Sequence, residues 1–339
     1  MDIFLFSLAV LPVVLLAIII YRQDRFEREP FGKLVGVFFL GVLATVPAIM
    51  MELLLEKFRP AGAIEGGLYG GFVVAGCCEE AAKLLMLWWA VWRSREFNEY
   101  FDGIVYACFV SLGFACCENI LYVCFQGTWE ASLLTGSIRA VLSVPAHFLF
   151  GVMMGYYFAL AKFDKSRRGL NLMLAFLVPM LLHGTFDALL MIPEGMEEKQ
   201  ELLAGALFVA FVVFDVMMWR WGIRRIRALQ LRSQQAGPMA FAEGDTYTYG
   251  EGEEIPFPPV VQECIYQHKS KLAKAILCTV FFGIWFGAPG IVYAALANAA
   301  NSRGEYEQAQ HYNRVAARWI NANIIVGVVL LVLLVMADL

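Results

Sequence analysis

Long apolar stretches alternate with short polar segments along the first two thirds of the chain. Seven of these stretches can cross the hydrocarbon core of a bilayer, which is about 30 Å thick and takes about 20 helical residues. They lie at about 3–21, 34–56, 68–92, 104–125, 137–161, 170–192 and 202–221. The apolar runs are continuous and lack the alternation of membrane β-barrel strands. The pattern therefore predicts an all-α polytopic membrane protein with a seven-helix core.

Loop charges predict how this core is oriented. The segments after spans one, three, five and seven carry fifteen Lys and Arg residues, whereas those after spans two, four and six carry three. Lys and Arg concentrate in cytoplasmic loops. We therefore expect the N-terminus to be extracytoplasmic and the end of span seven to be cytoplasmic.

The composition changes after Arg232. Residues 236–262 contain Gly, Pro and five acidic residues but no Lys or Arg, which is typical of a disordered linker. Two more apolar stretches follow, at about 272–297 and 320–337. The sequence thus predicts a membrane core of residues 1–232, a disordered acidic cytoplasmic linker of 233–267 and a C-terminal membrane module of 268–339.

The eighth apolar stretch is predicted to enter the membrane and return to the cytoplasmic side. Gly283, Gly287, Pro289 and Gly290 weaken a straight helix there. A full crossing would also place the three arginines of residues 298–318 outside, against the charge bias of the earlier loops. The last stretch then spans, so the module is predicted to be a re-entrant and transmembrane helix pair.

The composition excludes several classes of protein. Hydrophobic residues make up 60% of the chain and charged residues 17%, and the mean hydropathy is +0.64. Soluble domains are nearer half apolar and a quarter charged, so a soluble enzyme, a disordered regulator and a secreted disulfide scaffold are excluded. The apolar composition predicts a lipid bilayer as the partner. The net charge of −4 and the lack of a long basic run predict that nucleic acid is not a partner.

Ionisable residues nevertheless lie deep inside the predicted spans, where a charge costs at least about 2.5 kcal/mol. They are Glu79, Glu80 and Lys83 in span three, Glu118 in span four, His147 in span five, and His183 and Asp187 in span six. With about 1.5 Å per helical residue, the carboxylates and histidines fall about 8 to 17 Å below the extracytoplasmic edge of the bilayer. Four helices therefore carry polar residues at one depth, which predicts a shared site.

Spacing distinguishes the roles of these residues. Glu79 and Lys83 are four apart and share a helix face, so the lysine can neutralise one carboxylate. Glu79 and Glu80 point about 100° apart and cannot have the same role. Asp102 is predicted to be a helix N-cap, and Arg139 is predicted to reach the membrane interface.

This set of residues suits two kinds of chemistry. A glutamate base with histidines as metal ligands or oxyanion stabilisers can activate water for peptide hydrolysis. The same carboxylates suit a non-enzymatic transporter or proton channel. A third alternative is that the core is an inactive scaffold and that the C-terminal module carries out the protein's function. The sequence contains neither a His-Glu-x-x-His nor a Gly-x-Ser-x-Gly motif.

Several short motifs within residues 1–225 resemble the PrsW family of intramembrane proteases. They are Tyr21 to Pro30, Glu79-Glu80-Ala-Ala-Lys83, Phe101-Asp102-Gly103, Gly113 to Asn119, His147 with Gly151, and His183-Gly-Thr-Phe-Asp187. The resemblance implies a multi-pass protease of the bacterial plasma membrane, related to CAAX proteases and bacteriocin-processing enzymes. Its substrate would be a single-span membrane protein, such as an anti-sigma factor, cleaved near its extracytoplasmic side.

The resemblance also implies a role for each polar residue. The expected catalytic residues are Glu79, Glu80, His147 and His183, with Glu79 as the general base. The residues expected to hold a metal ion or position the attacking water are Glu80, Glu118, His147, His183 and Asp187. Zn²⁺ is the expected metal if one is bound, because Glu and His are among its usual ligands; the alternative is that Glu and His act without a metal.

A second resemblance covers residues 268–337. Ile276 to Tyr293, Gly304-Glu305-Tyr306 and Ala316 to Trp319 are similar to the dispanin domain of interferon-induced transmembrane proteins. The resemblance implies membrane insertion and homo-oligomerisation through this module, without catalysis.

Overall fold

The computed structural model describes residues 3–24, 27–196, 200–236, 271, 275, 284–302 and 306–337. These residues form helices and connecting turns, with no β-strand among them. Six helices in these ranges are long and apolar enough to cross a membrane. The prediction of an all-α polytopic membrane protein is therefore confirmed.

The chain divides into two units, Met1–Glu251 and Gly252–Leu339. The helices of the first unit are α1 (Ile3–Gln23), α2 (Phe31–Leu55), α3 (Ala63–Tyr69), α4 (Cys78–Val91), α5 (Tyr100–Cys124), α6 (Trp129–Val141), α7 (Ser143–Phe163), α8 (Arg168–Glu194) and α9 (Glu201–Ala236). Short 3-10 turns lie at Glu56–Phe58 and Lys165–Arg167, and a π-helical segment at Gly70–Cys77 joins α3 to α4.

Helix α5 forms the centre of this unit. Most of its residues are buried, because α1, α2, α4, α6, α7 and α9 all pack against it. Its sequence is apolar on every side, as a helix surrounded by other helices requires. Helix α5 also lies close to α7, where a Cβ on Gly103 would lie 2.8 Å from the Gly155 carbonyl oxygen. The backbones thus meet through two glycines.

The predicted third span is divided into several parts. Residues 68–92 include the end of α3, the π-helical segment and α4, and they carry three charged residues. The six spanning candidates lie at the other six predicted spans, and the exact number of spans stays a prediction. The π-helical segment packs on α8, where a Cβ on Gly71 would lie 2.6 Å from the Gly184 carbonyl oxygen. This contact brings the start of α4 close to the middle of α8.

The predicted fifth span, 137–161, includes only the end of α6, which begins at Trp129, and most of α7, with Leu142 between the two helices. Pro145 explains the break. A proline lacks the backbone N–H that an unbroken helix would need there, and its ring clashes with the carbonyl four residues earlier, at Val141. Helix α6 thereby ends beside α5.

Helix α9 continues to Ala236, beyond the predicted end at residue 221. Its added turns bury Ile226, Leu229 and Ser233, which extends the apolar contact past the predicted membrane boundary. Residues 233–236 of the predicted linker are therefore helical. Residues 237–267 lie outside the described residues, so the predicted disorder of the linker is untested.

The second unit contains α10 (Ile284–Ser302) and α11 (Tyr306–Ala337). The two helices pack through small side chains, with Ala294, Ala316 and Ile320 buried between them. Most of residues 272–283, where the predicted re-entrant segment begins, lies outside the described residues. The re-entrant topology stays a prediction.

Candidate active site

The structure brings all six predicted site residues into one connected network. Starting at α8, its members are Asp187, His183, Glu80, Lys83, His147, Glu118 and Arg139 in order of contact, with Glu79 beside Lys83 and His183. The side chains come from α4, α5, α6, α7 and α8. Five helices therefore converge on one polar centre within an apolar bundle.

Lys83 lies at the middle of this network. Its ammonium is 2.7 Å from Glu80 Oε1, 3.1 Å from Glu79 Oε2 and 3.0 Å from His147 Nδ1. It is fully buried and also lies 4.2 Å from the centroid of the Phe114 ring. One positive charge thus compensates a pair of carboxylates that burial would otherwise penalise severely.

Each histidine is oriented by a carboxylate on its far nitrogen. His147 Nε2 is 2.8 Å from Glu118 Oε2, and His183 Nε2 is 3.3 Å from Asp187 Oδ2. An ammonium can only donate, so His147 Nδ1 accepts from Lys83 and its Nε2–H donates to Glu118. The other nitrogen of His183, Nδ1, lies 2.9 Å from Glu80 Oε1.

A cavity of about 530 Å³ opens onto this network. Its walls include Glu79, Glu118, His147, His183 and Asp187, but neither Glu80 nor Lys83. The two adjacent glutamates therefore differ, as their 100° separation predicts. Glu79 faces the space that a substrate and water can enter, whereas Glu80 lies behind it and is completely buried.

Two residues of the cavity wall have positions that the sequence did not indicate. Arg139, predicted to reach the membrane interface, points into the cavity, and its Nη2 lies 3.0 Å from Glu118 Oε2. Glu52 was missed altogether, although its Oε1 is buried without a hydrogen-bond partner among the described residues. Its only sequence signal was a carboxylate near the end of span two, which is also typical of an interfacial residue.

Asp102 has a capping role at the N-terminal end of α5, whereas Glu118 lies near the C-terminal end of that helix. Its Oδ2 accepts a hydrogen bond of 2.6 Å from the Glu99 backbone N–H. Glu99 is the N-cap residue, and Asp102 is the third residue of the helix, so the two form a capping box. Asp102 therefore helps to cap the helix, as predicted, but it is the third residue of the helix and not the N-cap.

Comparison with known proteins identifies the family. The family model described as PrsW family intramembrane metalloprotease matches residues 29–218, more than half of the chain. The chain belongs to the PrsW family of intramembrane metalloproteases. A protein named Protease PrsW from Clostridioides difficile (strain 630) is 35% identical over 237 residues, which is 69% of this chain and 95% of that protein.

Other relatives in the PrsW family cover the same part of the chain. Protease PrsW from Bacillus subtilis (strain 168) is 33% identical over 65% of this chain and 93% of its own length. Protease PrsW from Geobacillus kaustophilus (strain HTA426) is 38% identical over 56% of this chain and 81% of its own length. No solved structure matches. The PrsW family match includes every residue of the polar network.

The second unit is similar to a different sequence family. The model described as Interferon-induced transmembrane protein matches residues 267–334, which confirms the dispanin-like resemblance. The chain therefore joins a PrsW protease core to a dispanin-like module. Homo-oligomerisation through that module stays a prediction.

The polar network of the PrsW core fits a metal ion. Glu79, Glu80, His147 and His183 each offer a ligand atom, and these atoms lie within 4.8 Å of one another. Glu80 Oε2 is also buried with no hydrogen-bond partner in the described part of the chain, so it is free to ligate. Glu118 and Asp187 are not in this group of four and contact the histidines from behind.

Proposed function

We propose that the protein hydrolyses a peptide bond of a single-span membrane protein, such as an anti-sigma factor, near its extracytoplasmic side. The observation that carries the proposal is the placement of Glu79. Its carboxylate faces the cavity and lies within a group of four residues suited to a metal ion. Membership in a protease family favours this function over the transporter, the channel and the scaffold.

In this proposal Glu79 is the general base. It takes a proton from the attacking water and passes it to the amine that leaves when the peptide bond breaks. Lys83 Nζ, 3.1 Å from Glu79 Oε2, holds the carboxylate at the cavity wall. Because Lys83 is anchored on Glu80 and His147 as well, Glu79 is positioned by two helices.

Glu80, His147 and His183 are the proposed metal ligands, with Zn²⁺ as the metal. When bound, zinc supplies a Lewis acid that polarises the scissile carbonyl and acidifies water. Glu118 and Asp187 are proposed to orient His147 and His183 through their far nitrogens, as carboxylates commonly do for histidine ligands. Because His147 Nδ1 accepts a hydrogen bond from Lys83 in this structure, His147 could bind the metal through that nitrogen only after Lys83 moves away from it. This assignment refines the wider ligand set expected from the sequence, in which both carboxylates were also candidates.

The cavity supports cleavage near the extracytoplasmic side. From Glu79 it extends to Glu52, Glu56, Arg59 and Glu194, which lie at or after the C-terminal ends of α2 and α8. Those ends precede the loops with few Lys and Arg residues, and are therefore proposed to be extracytoplasmic. Water for hydrolysis would enter from that side.

The proposed function is tested by replacing the base. Glu79→Gln keeps the size of the side chain but removes its basicity, so we expect cleavage of a co-expressed single-span substrate to fall about 10³-fold. Cleavage is measured by immunoblot and protein level by an epitope tag. Glu130→Gln, an exposed carboxylate on α6, is the control and should cleave normally. Normal cleavage by an abundant Glu79→Gln variant would refute the mechanism.

A second measurement tests the metal. Purified protein should contain about one equivalent of zinc, as expected for a catalytic site with three protein ligands. The double variant His147→Ala/His183→Ala should lose it, whereas Glu130→Gln should not. Metal content is measured by mass spectrometry of the protein after dialysis. Full activity in a preparation without metal would overturn zinc and leave Glu79 and the histidines as the catalytic groups.

A further inference from the structure

Glu52 contributes an unpartnered carboxylate to the wall of the active-site cavity. Its Oε1 is buried, and no described residue gives it a hydrogen bond. Glu52 lies on the face of α2 that also brings Thr45, Ile49 and Glu56 to the cavity, and the spacings of four, three and four between these residues are those of one helix face. A buried carboxylate oxygen without a donor is costly. A group that enters the cavity can supply the missing donor.

The basic side chains in the described part of the cavity wall are all engaged by other groups. They are Arg59, Arg139, His147 and His183. Arg59 donates at 3.0 Å both to the Gly66 carbonyl oxygen and to Glu56 Oε1. Arg139 pairs with Glu118, and both ring nitrogens of each histidine contact members of the polar network. Among the residues described, Glu52 is therefore left without a counter-charge.

The surroundings of Glu52 suit a long basic side chain. Ile49 and Leu53 of α2 and Leu190 of α8 line the same cavity. Apolar walls of this kind can pack on the methylene groups of Lys or Arg while the charged end reaches a carboxylate. Glu194, exposed at the end of α8, adds a second negative charge to the wall. The charge and the apolar lining of the cavity therefore both favour a basic side chain.

We propose that Glu52 is a specificity-determining residue that binds a lysine or arginine side chain of the substrate, on the extracytoplasmic side of the scissile bond. The inference rests on the proposed protease function, because it concerns the substrate that the same cavity admits. Glu52 and Glu79 line one cavity, and the charge of Glu52 acts on Glu79, so a residue bound at Glu52 brings its neighbouring peptide bonds towards the base.

Recognition of a basic residue would make the protease selective. Lys and Arg are scarce in the extracytoplasmic flanks of membrane proteins, because they concentrate on the cytoplasmic side. A requirement for one of them next to the scissile bond would exclude most single-span proteins. Repulsion between Glu52 and an acidic flank would exclude others, since specificity depends on disfavouring wrong partners as well as on binding the right one.

Binding of single-span peptides to the full-length protein in detergent tests the inference. Three synthetic peptides share one apolar helix and differ only in the flank that represents the extracytoplasmic side, which contains lysine, glutamine or glutamate. The protein carries Glu79→Gln, so that no peptide is consumed, and binding is followed by the fluorescence anisotropy of a dye on the peptide. We expect the lysine peptide to bind about tenfold more tightly than the glutamate peptide, as one hydrogen bond between charged groups can provide.

Variants of Glu52 in the same Glu79→Gln protein assign the preference. Glu52→Gln keeps the size of the side chain but removes its charge, so the preference for lysine over glutamate should be lost, and Glu52→Lys should reverse it. Glu65→Gln is the matched control, because Glu65 is an exposed carboxylate of α3 outside the cavity wall, and it should keep the preference. Because Glu52→Gln conserves shape, the test does not depend on the folding of Glu52→Lys.

Equal binding of the three peptides, binding of none of them, or a preference that Glu52→Gln retains would overturn the inference. The result is separable from the proposed function, because binding is measured without hydrolysis. Normal cleavage by Glu79→Gln would refute the mechanism but leave the order of affinities unchanged. Equal affinities, together with loss of cleavage in Glu79→Gln, would refute only the role of Glu52.

Discussion

Lys83 determines how the two neighbouring glutamates differ. Its ammonium contacts Glu79, Glu80 and His147 at 2.7 to 3.1 Å and is completely buried. Glu80, behind it, is held by both Lys83 and His183. Glu79 lies on the cavity side, so one carboxylate of the pair can react while the other completes the ligand group. Two adjacent residues of one sequence motif thereby obtain separate proposed functions.

At the residue scale, the sequence predicts which side chains are suited to catalysis better than it predicts which of them contact one another. The pairing of Glu79 with Lys83 follows from a spacing of four within a single helix. Arg139 could not be predicted in the same way, because its contact with Glu118 depends on the break between α6 and α7. The position of Glu52 in the cavity wall could not be predicted either, because it depends on which face of α2 lines the cavity.

Arg139 is expected to support catalysis through Glu118. Its Nη2 pairs with Glu118 Oε2, and the same oxygen is 2.8 Å from His147 Nε2. Arg139→Ala leaves Glu118 without this partner, so His147 is held less firmly and kcat should fall about 10- to 100-fold. Arg139→Lys, which keeps the charge, should restore part of the rate.

The rates of the Arg139 variants are measured with purified protein and a single-span substrate in detergent. Arg95→Ala removes an exposed arginine outside the helices and serves as the control. A change in KM alone, with kcat unchanged in Arg139→Ala, would show that Arg139 contacts the substrate and does not act through Glu118.

At the scale of elements, hydropathy predicts where helices lie but not how they are interrupted. The hydropathy of the run at 137–161 does not separate two helices, although Pro145 within it explains the break. The run at 68–92 likewise hides the π-helical segment Gly70–Cys77. Such segments widen the helix locally and are frequent at functional sites. Here the segment directly precedes the helix that carries Glu79 and Glu80.

The contact between α5 and α7 should tolerate no side chain at Gly155. A Cβ there would lie 2.6 Å from Ile104 Cα, so Gly155→Leu must push the two helices apart. We expect this variant to lower the free energy of unfolding by about 1–3 kcal/mol or more, as overpacked cores do. Because His147 lies two turns away on α7, activity should fall as well.

Gly205→Leu on α9 is the matched control for the glycine contact. Nothing lies within 4 Å of a Cβ built at Gly205, so leucine there should be neutral or slightly stabilising. Unfolding midpoints in detergent compare the two variants with the wild type. Equal midpoints for Gly155→Leu and the wild type would contradict the close helix contact.

At the scale of the whole molecule, the distribution of basic residues predicts how the protein is oriented in the membrane. The loops after alternate spans carry fifteen and three basic residues, and this asymmetry sets topology in bacterial membranes. It predicts that the mouth of the cavity lies outside and that the start of α5 lies on the cytoplasmic side. The proposed protease site would then be supplied with water from outside.

The topology of the whole chain can be read from labelling of single cysteines with an impermeant thiol reagent, in a background where the eight native cysteines are replaced. Gly127→Cys should be labelled in intact cells and Ser166→Cys should not, because they lie in loops of opposite predicted side. Ser302→Cys, after the eighth apolar stretch, should behave like Ser166→Cys, because a re-entrant segment keeps the arginines of residues 298–318 in the cytoplasm. Labelling at Ser302→Cys would show instead that this stretch crosses the membrane.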